Sequence, residues 1–319
     1  MSATDFERVL PAYKELPYNE TLGGRLSWGL FGDDDQLGTM GLIGDRQVAA
    51  AASEIRRGVR FCLSLPLDEP NPPPADRPHY QHHMFRPSRN SQDDWLDGFY
   101  MQASSQWDGL RHVQAREFGF YNGVSEADAA APDGKLGVER WAQHGIVTRG
   151  LLADVKRFAD AHDIPLPPLE SAPISPDLLR ETLAFQDSMP RPGDVLLVRT
   201  GYLTGLRGLP VSERSTWDHR RGCPGLAGSE AMAEMLWDWH IAAVCSDSPA
   251  VEVRPGSRQD GSLHRRVIPM LGMALGELFD LDALAEDCVI DGRYTSFFIS
   301  VPLNLPGGVG SPANAMACK

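Results

Sequence analysis

The sequence predicts an α/β fold with a mixed sheet core, and three observations lead there. The C-terminal half alternates helix-like and strand-like segments, which implies strands joined by crossover helices. The 319 residues suffice for one large domain or two intimately packed ones. Apolar residues at 42% and charged residues at 23% are ordinary for a soluble globule and exclude wholesale disorder. The sequence shows no repeat at solenoid or propeller period, and no linker clearly divides it.

The elements follow in order. A helix is expected over 45–57, where Asp45 can cap, the run Val48-Ala49-Ala50-Ala51-Ala52 favours helix and Gly58 can stop it. A strand follows, because Val59, Phe61, Leu63 and Leu65 alternate with Arg60, Cys62 and Ser64. Prolines from Pro66 to Pro78 then make a stiff extended loop. Ser175-Pro176 is a cap and first turn for a helix through Gln186. Arg191 to Asp194 reads as a turn into the buried strand 195–198. A helix from Ser229 to His240 feeds an apolar strand over 241–245, which ends in the polar turn 246–249. Residues 294–301 read as another strand, with Thr295, Phe297, Ile299 and Val301 on one face. The Gly/Pro-rich tail 306–312 lacks a Gly-Lys-Ser/Thr and reads as a tight chain reversal, not a phosphate loop.

Charge and cysteine usage narrow the class. With 30 Lys+Arg against 43 Asp+Glu the net charge is −13, and no Lys/Arg run relieves it. Nucleic acid and anionic membrane are therefore not expected partners. No segment approaches the roughly 18 uninterrupted apolar residues of a membrane span. Residues 1–8 lack a basic start followed by an apolar core, so no signal peptide is expected. The five cysteines (Cys62, Cys223, Cys245, Cys288, Cys318) are odd in number and contain no C-x-x-C. They read as a reduced, cytoplasmic inventory, with Cys245 buried as a small hydrophobe.

Polar loops after buried strands are where α/β proteins place chemistry. Three qualify: the loop carrying Gln102 to His112, the loop from Ser246 to His264, and the Gly/Pro tail. In the first, Asp108 and His112 are four apart, a spacing that would share one face of a helix. A carboxylate and an imidazole converging there hold a divalent ion or form a base with its orienter. Trp107 and Leu110 add apolar bulk beside the pair, and Gly109 permits a close backbone approach. Outside these loops, His79, His82 and His83 follow the proline loop, either as a pocket lid with Met84 and Phe85 or as incidental residues of an exposed loop. His144, His162, His219 and His240 sit at element ends, where capping accounts for them. Arg199 suits a structural ion pair or a substrate carboxylate.

The segment from Gln102 to His112 resembles the H-x-G-T-H-x-D-x-P-x-H signature of the metal-dependent cyclase-like hydrolases, the family of kynurenine formamidase and isatin hydrolase. Its aspartate falls on Asp108 and its last histidine on His112, while its first two histidines fall on Gln102 and Gln106. Trp28-Gly29, Asp33-Asp34-Asp35, Leu37-Gly38, Tyr121-Asn122-Gly123, the stretches 145–150 and 193–201, and Gly310-Ser311-Pro312 are also similar to longer members. The resemblance runs from Trp28 to Asn314. It implies a swivelling β/β/α single domain over 28–319 behind an N-terminal extension of 1–27. It further implies a homo-oligomer, dimer or tetramer.

The resemblance carries two downstream site residues onto His264 and Glu277, the latter opening Glu277-Leu278-Phe279-Asp280-Leu281. The turn 246–252 is similar to one the family keeps near its pocket, so Asp247 and Glu252 are read as supporting or structural residues. The implied cofactor is one divalent ion, manganese or zinc. Because two imidazoles are glutamines here, the ion would sit among Asp108, His112, His264 and Glu277 with Gln106. The other reading is that metal is lost and a His/carboxylate acid–base site remains. Gln102 and Trp107 are read as contacting a small-molecule substrate or as supporting the ligands from behind. The implied reaction is hydrolysis of an amide, cyclic amide or lactone by an activated water, with His112 or His264 moving the proton. Ring closure or dehydration on the same centre, or a non-catalytic binding role, are the competing functions.

Overall fold

A computed structural model of the chain describes residues 10–131 and 134–319. Residues 1–8, the stretch that bears on a signal peptide, lie outside the described residues. Eleven strands and six helices suffice to place the site. The strands are β1 (Arg60–Cys62), β2 (Gln81–Ser88), β3 (Ser91–Asp97), β4 (Gln106–Asp108), β5 (Ile146–Asp154), β6 (Val195–Arg199), β7 (Ala243–Ser246), β8 (Ala274–Glu277), β9 (Thr295–Ser300), β10 (Gly310–Pro312) and β11 (Ala315–Cys318). The helices are α1 (Asp45–Ala51), α2 (Val155–Ala161), α3 (Pro176–Phe185), α4 (Glu230–Asp238), α5 (Leu263–Leu271) and α6 (Asp282–Asp291).

Nine of the strands make one curled, mixed sheet in the order β10-β4-β8-β7-β6-β5-β9-β11-β1. Strands β5 to β8 are mutually parallel, with helices α2 to α5 in the crossovers. Antiparallel strands extend both sides. The parallel strands read as continuous apolar runs because both faces are buried. Leu151, Leu196, Val244 and Leu275 face the helices and meet Val155, Leu183, Leu236 and Val267. Leu152, Leu197, Ala243 and Ala274 face the inside of the curl, where Trp107, Phe279 and Phe298 fill the space. Tyr13 docks beside α4, its N–H donating to Asp238 at 2.7 Å. Among the described residues, no helix is long and apolar enough to cross a membrane.

Most expected elements form, with instructive differences. Ser175 caps α3 and Ser229 caps α4 through their hydroxyls, as their chemistry favours. Helix α1 ends at Ala51 and tightens into a 3₁₀ turn over Ala52–Glu54, so the alanine run does not carry it to Arg57. Its N-cap is Gly44, whose N–H donates to Gln47, rather than Asp45. In β9 the residues facing inward are Ser296, Phe298 and Ser300, not the more apolar set. Ser300 explains this: it accepts the Trp107 indole N–H at 2.8 Å and donates to the Ala313 carbonyl. The tail turns at Leu305–Gly308 and then becomes a strand, β10, paired to β4. The stretch after the proline loop is the β2–β3 hairpin rather than an irregular loop. Arg199 is a structural ion pair, bonded to Asp154 at 2.9 Å and Asp282 at 2.8 Å.

Candidate metal centre

Register on the sheet assembles the site. Strand β4 is antiparallel to β8, with Gln106 opposite Glu277 and Asp108 opposite Leu275. Since side chains alternate, Gln106 and Asp108 point to the helix face and Trp107 to the interior. The cross-strand pair is joined directly: the Gln106 amide nitrogen donates to Glu277 Oε2 at 2.5 Å. Helix α5 begins over the same corner. Its N-cap is Ser262, and His264 is its second residue.

His264 lies at the centre. Its Nε2 is 3.1 Å from Glu277 Oε1 and 3.7 Å from Asp108 Oδ2, and its Nδ1 is 2.9 Å from Glu252 Oε1. Glu252 also accepts the Ser262 hydroxyl at 3.0 Å and the Leu263 N–H, so one carboxylate fixes both the ring and the start of α5. Full burial disfavours a charged imidazole, but the carboxylates of Asp108, Glu252 and Glu277 outweigh it and hold the His264 pKa well above its usual value. Burial raises the Glu277 pKa, and the neighbouring Asp108 charge raises it further. Burial works against the Glu252 carboxylate too, yet the His264 partnership wins and lowers its pKa.

One ligand atom from each of Asp108, His264 and Glu277 lies within 4.8 Å of the others, and all three side chains are buried. Asp108 Oδ1 and Gln106 Oε1 are shielded from water and have no hydrogen-bond partner. Such orphaned acceptors are costly in a protein interior and suit a cation. Two carboxylates, one imidazole and an amide oxygen form a donor set that fits Zn²⁺ or Mn²⁺.

The remaining candidates take different places. His112 Nε2 sits 3.7 Å from Asp108 Oδ2 and its side chain is partly exposed, at the rim of the buried trio. The two residues meet through a tight turn after β4, where the His112 N–H donates to the Gly109 carbonyl, and not on a helix. Gly109 is required there: a Cβ would lie 2.5 Å from the Val309 carbonyl oxygen. Gly109→Ala is expected to destabilise the fold by about 1–3 kcal/mol through overpacking, read as a lower urea midpoint; an unchanged midpoint refutes that close approach. Trp107 takes the face of β4 opposite to the trio. It is fully buried in the inner core, edge-on to Phe279, Trp141 and Phe298. Gln102 makes no side-chain bond to the trio; its carbonyl accepts from Arg77 at 2.7 Å. Asp247 is a turn anchor, accepting from the Thr200 N–H and hydroxyl and the Gly201 N–H, while burial pushes its pKa up to about 6.

Two contributors escape a reading by residue type. Ser262 ties the helix start to Glu252, and a serine just before an amphipathic helical stretch is the N-cap signal that marks it. Leu278, next to Glu277, has φ of +55°, a conformation disfavoured for a branched side chain. It is held by its N–H on the Ser248 carbonyl and by Ser105, whose hydroxyl donates to the Leu278 carbonyl. Nothing in a leucine signals such a turn.

Comparison with known proteins agrees with this architecture. The Cyclase family model, described as "Putative cyclase", matches residues 62–253, more than half the chain. A solved structure titled as a novel cyclase is 33% identical, with a TM-score of 0.80, covering 92% of this chain and 99% of its own. Isatin hydrolase A from Labrenzia aggregata, bound to benzyl benzoate, is 14% identical with a TM-score of 0.54, covering 85% of this chain and 97% of its own. An isatin hydrolase bound to the product analogue thioisatinate is 15% identical, also at 0.54, covering 86% and 98%. At those lower identities the likeness is one of fold. No functionally curated protein matches the sequence. With its family model matched over more than half of its length and a one-third-identical relative aligned almost end to end, the chain belongs to the Cyclase family.

Proposed function

We propose that this protein is a metal-dependent hydrolase that opens an amide, cyclic amide or lactone. The observation that supports it most is the buried Asp108, His264 and Glu277 trio, in which one Asp108 carboxylate oxygen has no hydrogen-bond partner. Asp108, His264 and Glu277, together with Gln106 Oε1, would hold a divalent ion, which would supply Lewis acidity and lower the pKa of a bound water. The chain's own residues do the rest. Glu252 holds the His264 ring by Nδ1 and leaves Nε2 aimed at the centre. Gln106 fixes the Glu277 carboxylate across the strand pair. His112, outside the trio and partly exposed, moves the proton between the reacting group and solvent. The five unbridged cysteines support a reducing, cytoplasmic setting.

Elemental analysis of the purified protein, with a panel of amides and lactones assayed before and after chelation, tests the proposal. Hydrolysis is expected that falls on chelation and returns with Mn²⁺ or Zn²⁺, with a single ion per chain. Metal-independent turnover favours an acid–base site, and neither metal nor turnover favours a binding protein. Ring closure or dehydration is separated by ¹⁸O-water, since only hydrolysis places label in the acyl product. The glutamines give a sharper test. Gln106→His substitutes an imidazole nitrogen for the amide oxygen and is expected to shift the Zn²⁺ to Mn²⁺ affinity ratio toward zinc by at least about tenfold. An unchanged ratio in competition titrations removes Gln106 from the centre.

A further inference from the structure

A polar cavity lies well away from the metal centre, and Arg56, Arg149, Arg191 and Arg293 line it. Its volume is about 420 Å³, within the ~300–1,000 Å³ usual for small-molecule sites. The turn after α1, strand β5, the end of α3 and the entry to β9 converge on it. Gly150 is level with Val195, Ala243 and Ala274 across the parallel strands; Arg149 precedes that level, and Glu277 lies beyond it. Strand spacings then put Arg149 and Glu277 roughly 20 Å apart.

The charges in this cavity are incompletely balanced, on a chain whose net charge is −13. Glu54 in the wall is already engaged, accepting from Arg293 at 2.9 Å and from the Thr295 hydroxyl at 2.7 Å. Asp187, the other acid of the lining, is exposed. Asp194, outside the lining, accepts from Arg149 Nε at 2.9 Å and Nη2 at 2.6 Å. The Arg149 side chain is only 9% exposed, and its Nη1 makes neither of these bonds. The Arg56 and Arg191 side chains are exposed and make no hydrogen bond or ion pair among the described residues. The carboxylate that Arg191 feels, Asp194, is the one Arg149 already holds.

We propose that this cavity binds a small phosphate monoester, with the phosphate on Arg56, Arg149 and Arg191 and the organic part against Tyr294 and Met189. A dianion answers two uncompensated guanidiniums, and its three terminal oxygens match three separate donors. A lone carboxylate brings one charge and one bidentate edge, and leaves an arginine unmatched. The cavity has room beyond a phosphate group, and the Tyr294 ring with the exposed Met189 side chain gives that room an apolar surface.

Equilibrium dialysis with ³²P-labelled inorganic phosphate at fixed ionic strength tests the site without reference to activity. The wild type is expected to bind it with a Kd of about 1 mM or below. Unlabelled phenyl phosphate is expected to displace the label at least about threefold more effectively than unlabelled phosphate. Arg56→Gln/Arg191→Gln is expected to weaken both at least about tenfold with metal content unchanged. Both arginines are exposed and unbonded, so the variant is expected to fold. Sulfate is expected to compete and chloride is not. Chelation of the wild type, or Asp108→Asn, is expected to leave phosphate binding intact, which separates this cavity from an anion captured at the metal centre. The proposal is overturned by a wild type that binds no phosphate, by binding that survives the double substitution, or by binding lost on chelation. Displacement by chloride at equal ionic strength overturns it too. Phenyl phosphate that binds no more tightly than phosphate overturns the assignment of the organic part.

Discussion

Asp108→Asn is expected to lower kcat/KM at least about 1,000-fold, equivalent to about 4 kcal/mol of lost transition-state stabilisation. Metal content is expected to fall in parallel, which gives a readout that needs no substrate. The amide keeps the shape of the carboxylate and leaves no cavity, so the fold is expected to survive. Stability is in fact expected to hold or rise. Asp108 and Glu277 are buried close enough for the Asp108 charge to push the Glu277 pKa upward, and Asn removes that repulsion. A gain in melting temperature with loss of function is the signature of a site kept at some expense to the fold. A variant that retains more than a tenth of the wild-type kcat, with its metal, removes Asp108 from the role proposed for it.

Trp107→Ala is expected to act in the opposite way, through the fold. The side chain is fully buried, meets three aromatic rings and donates its indole N–H to Ser300. Truncation leaves a large cavity in the curl and removes the indole bond to Ser300, a loss of about 3–5 kcal/mol in urea unfolding. Trp107→Phe keeps most of the volume and is expected to recover more than half of that loss. If Trp107→Ala costs under about 1 kcal/mol, the residue is not the packing anchor described. Neighbours in sequence, Trp107 and Asp108 thus separate stability from chemistry by the two-residue period of a strand.

That period also explains what was legible in the sequence and what was not. Parallel strands such as β6 announce themselves as apolar runs because both faces are buried, and Ser175 and Ser229 mark their helices chemically. Asp108, His112, His264 and Glu277 stand out by residue type and motif. Trp107 reads as a substrate contact or as a support with equal ease, because a three-residue strand leaves its facing undecided until its pairing is known. The Gln106–Glu277 bond links residues 171 positions apart, and only the β4–β8 register reveals it. The hairpin at Gln81–Asp97 was invisible for a related reason. Neither of its faces is buried within the chain, so no alternation of polar and apolar residues is imposed on it.

Strand β4 has pairing partners on both sides, β8 and β10, although it is only three residues long. Its amides cannot exchange with solvent by fraying; a neighbouring strand must detach first, as in the slowest-exchanging parts of a sheet. The backbone that presents Asp108 is thus ordered by folding itself. A cation bound as proposed would meet a preformed cage and drive no disorder-to-order transition, so its affinity would be governed by desolvation and by the protons it displaces. Deuterium uptake across Gln106–Asp108 should accordingly be slow and nearly the same with and without metal, unlike a small zinc domain that folds only around its ion.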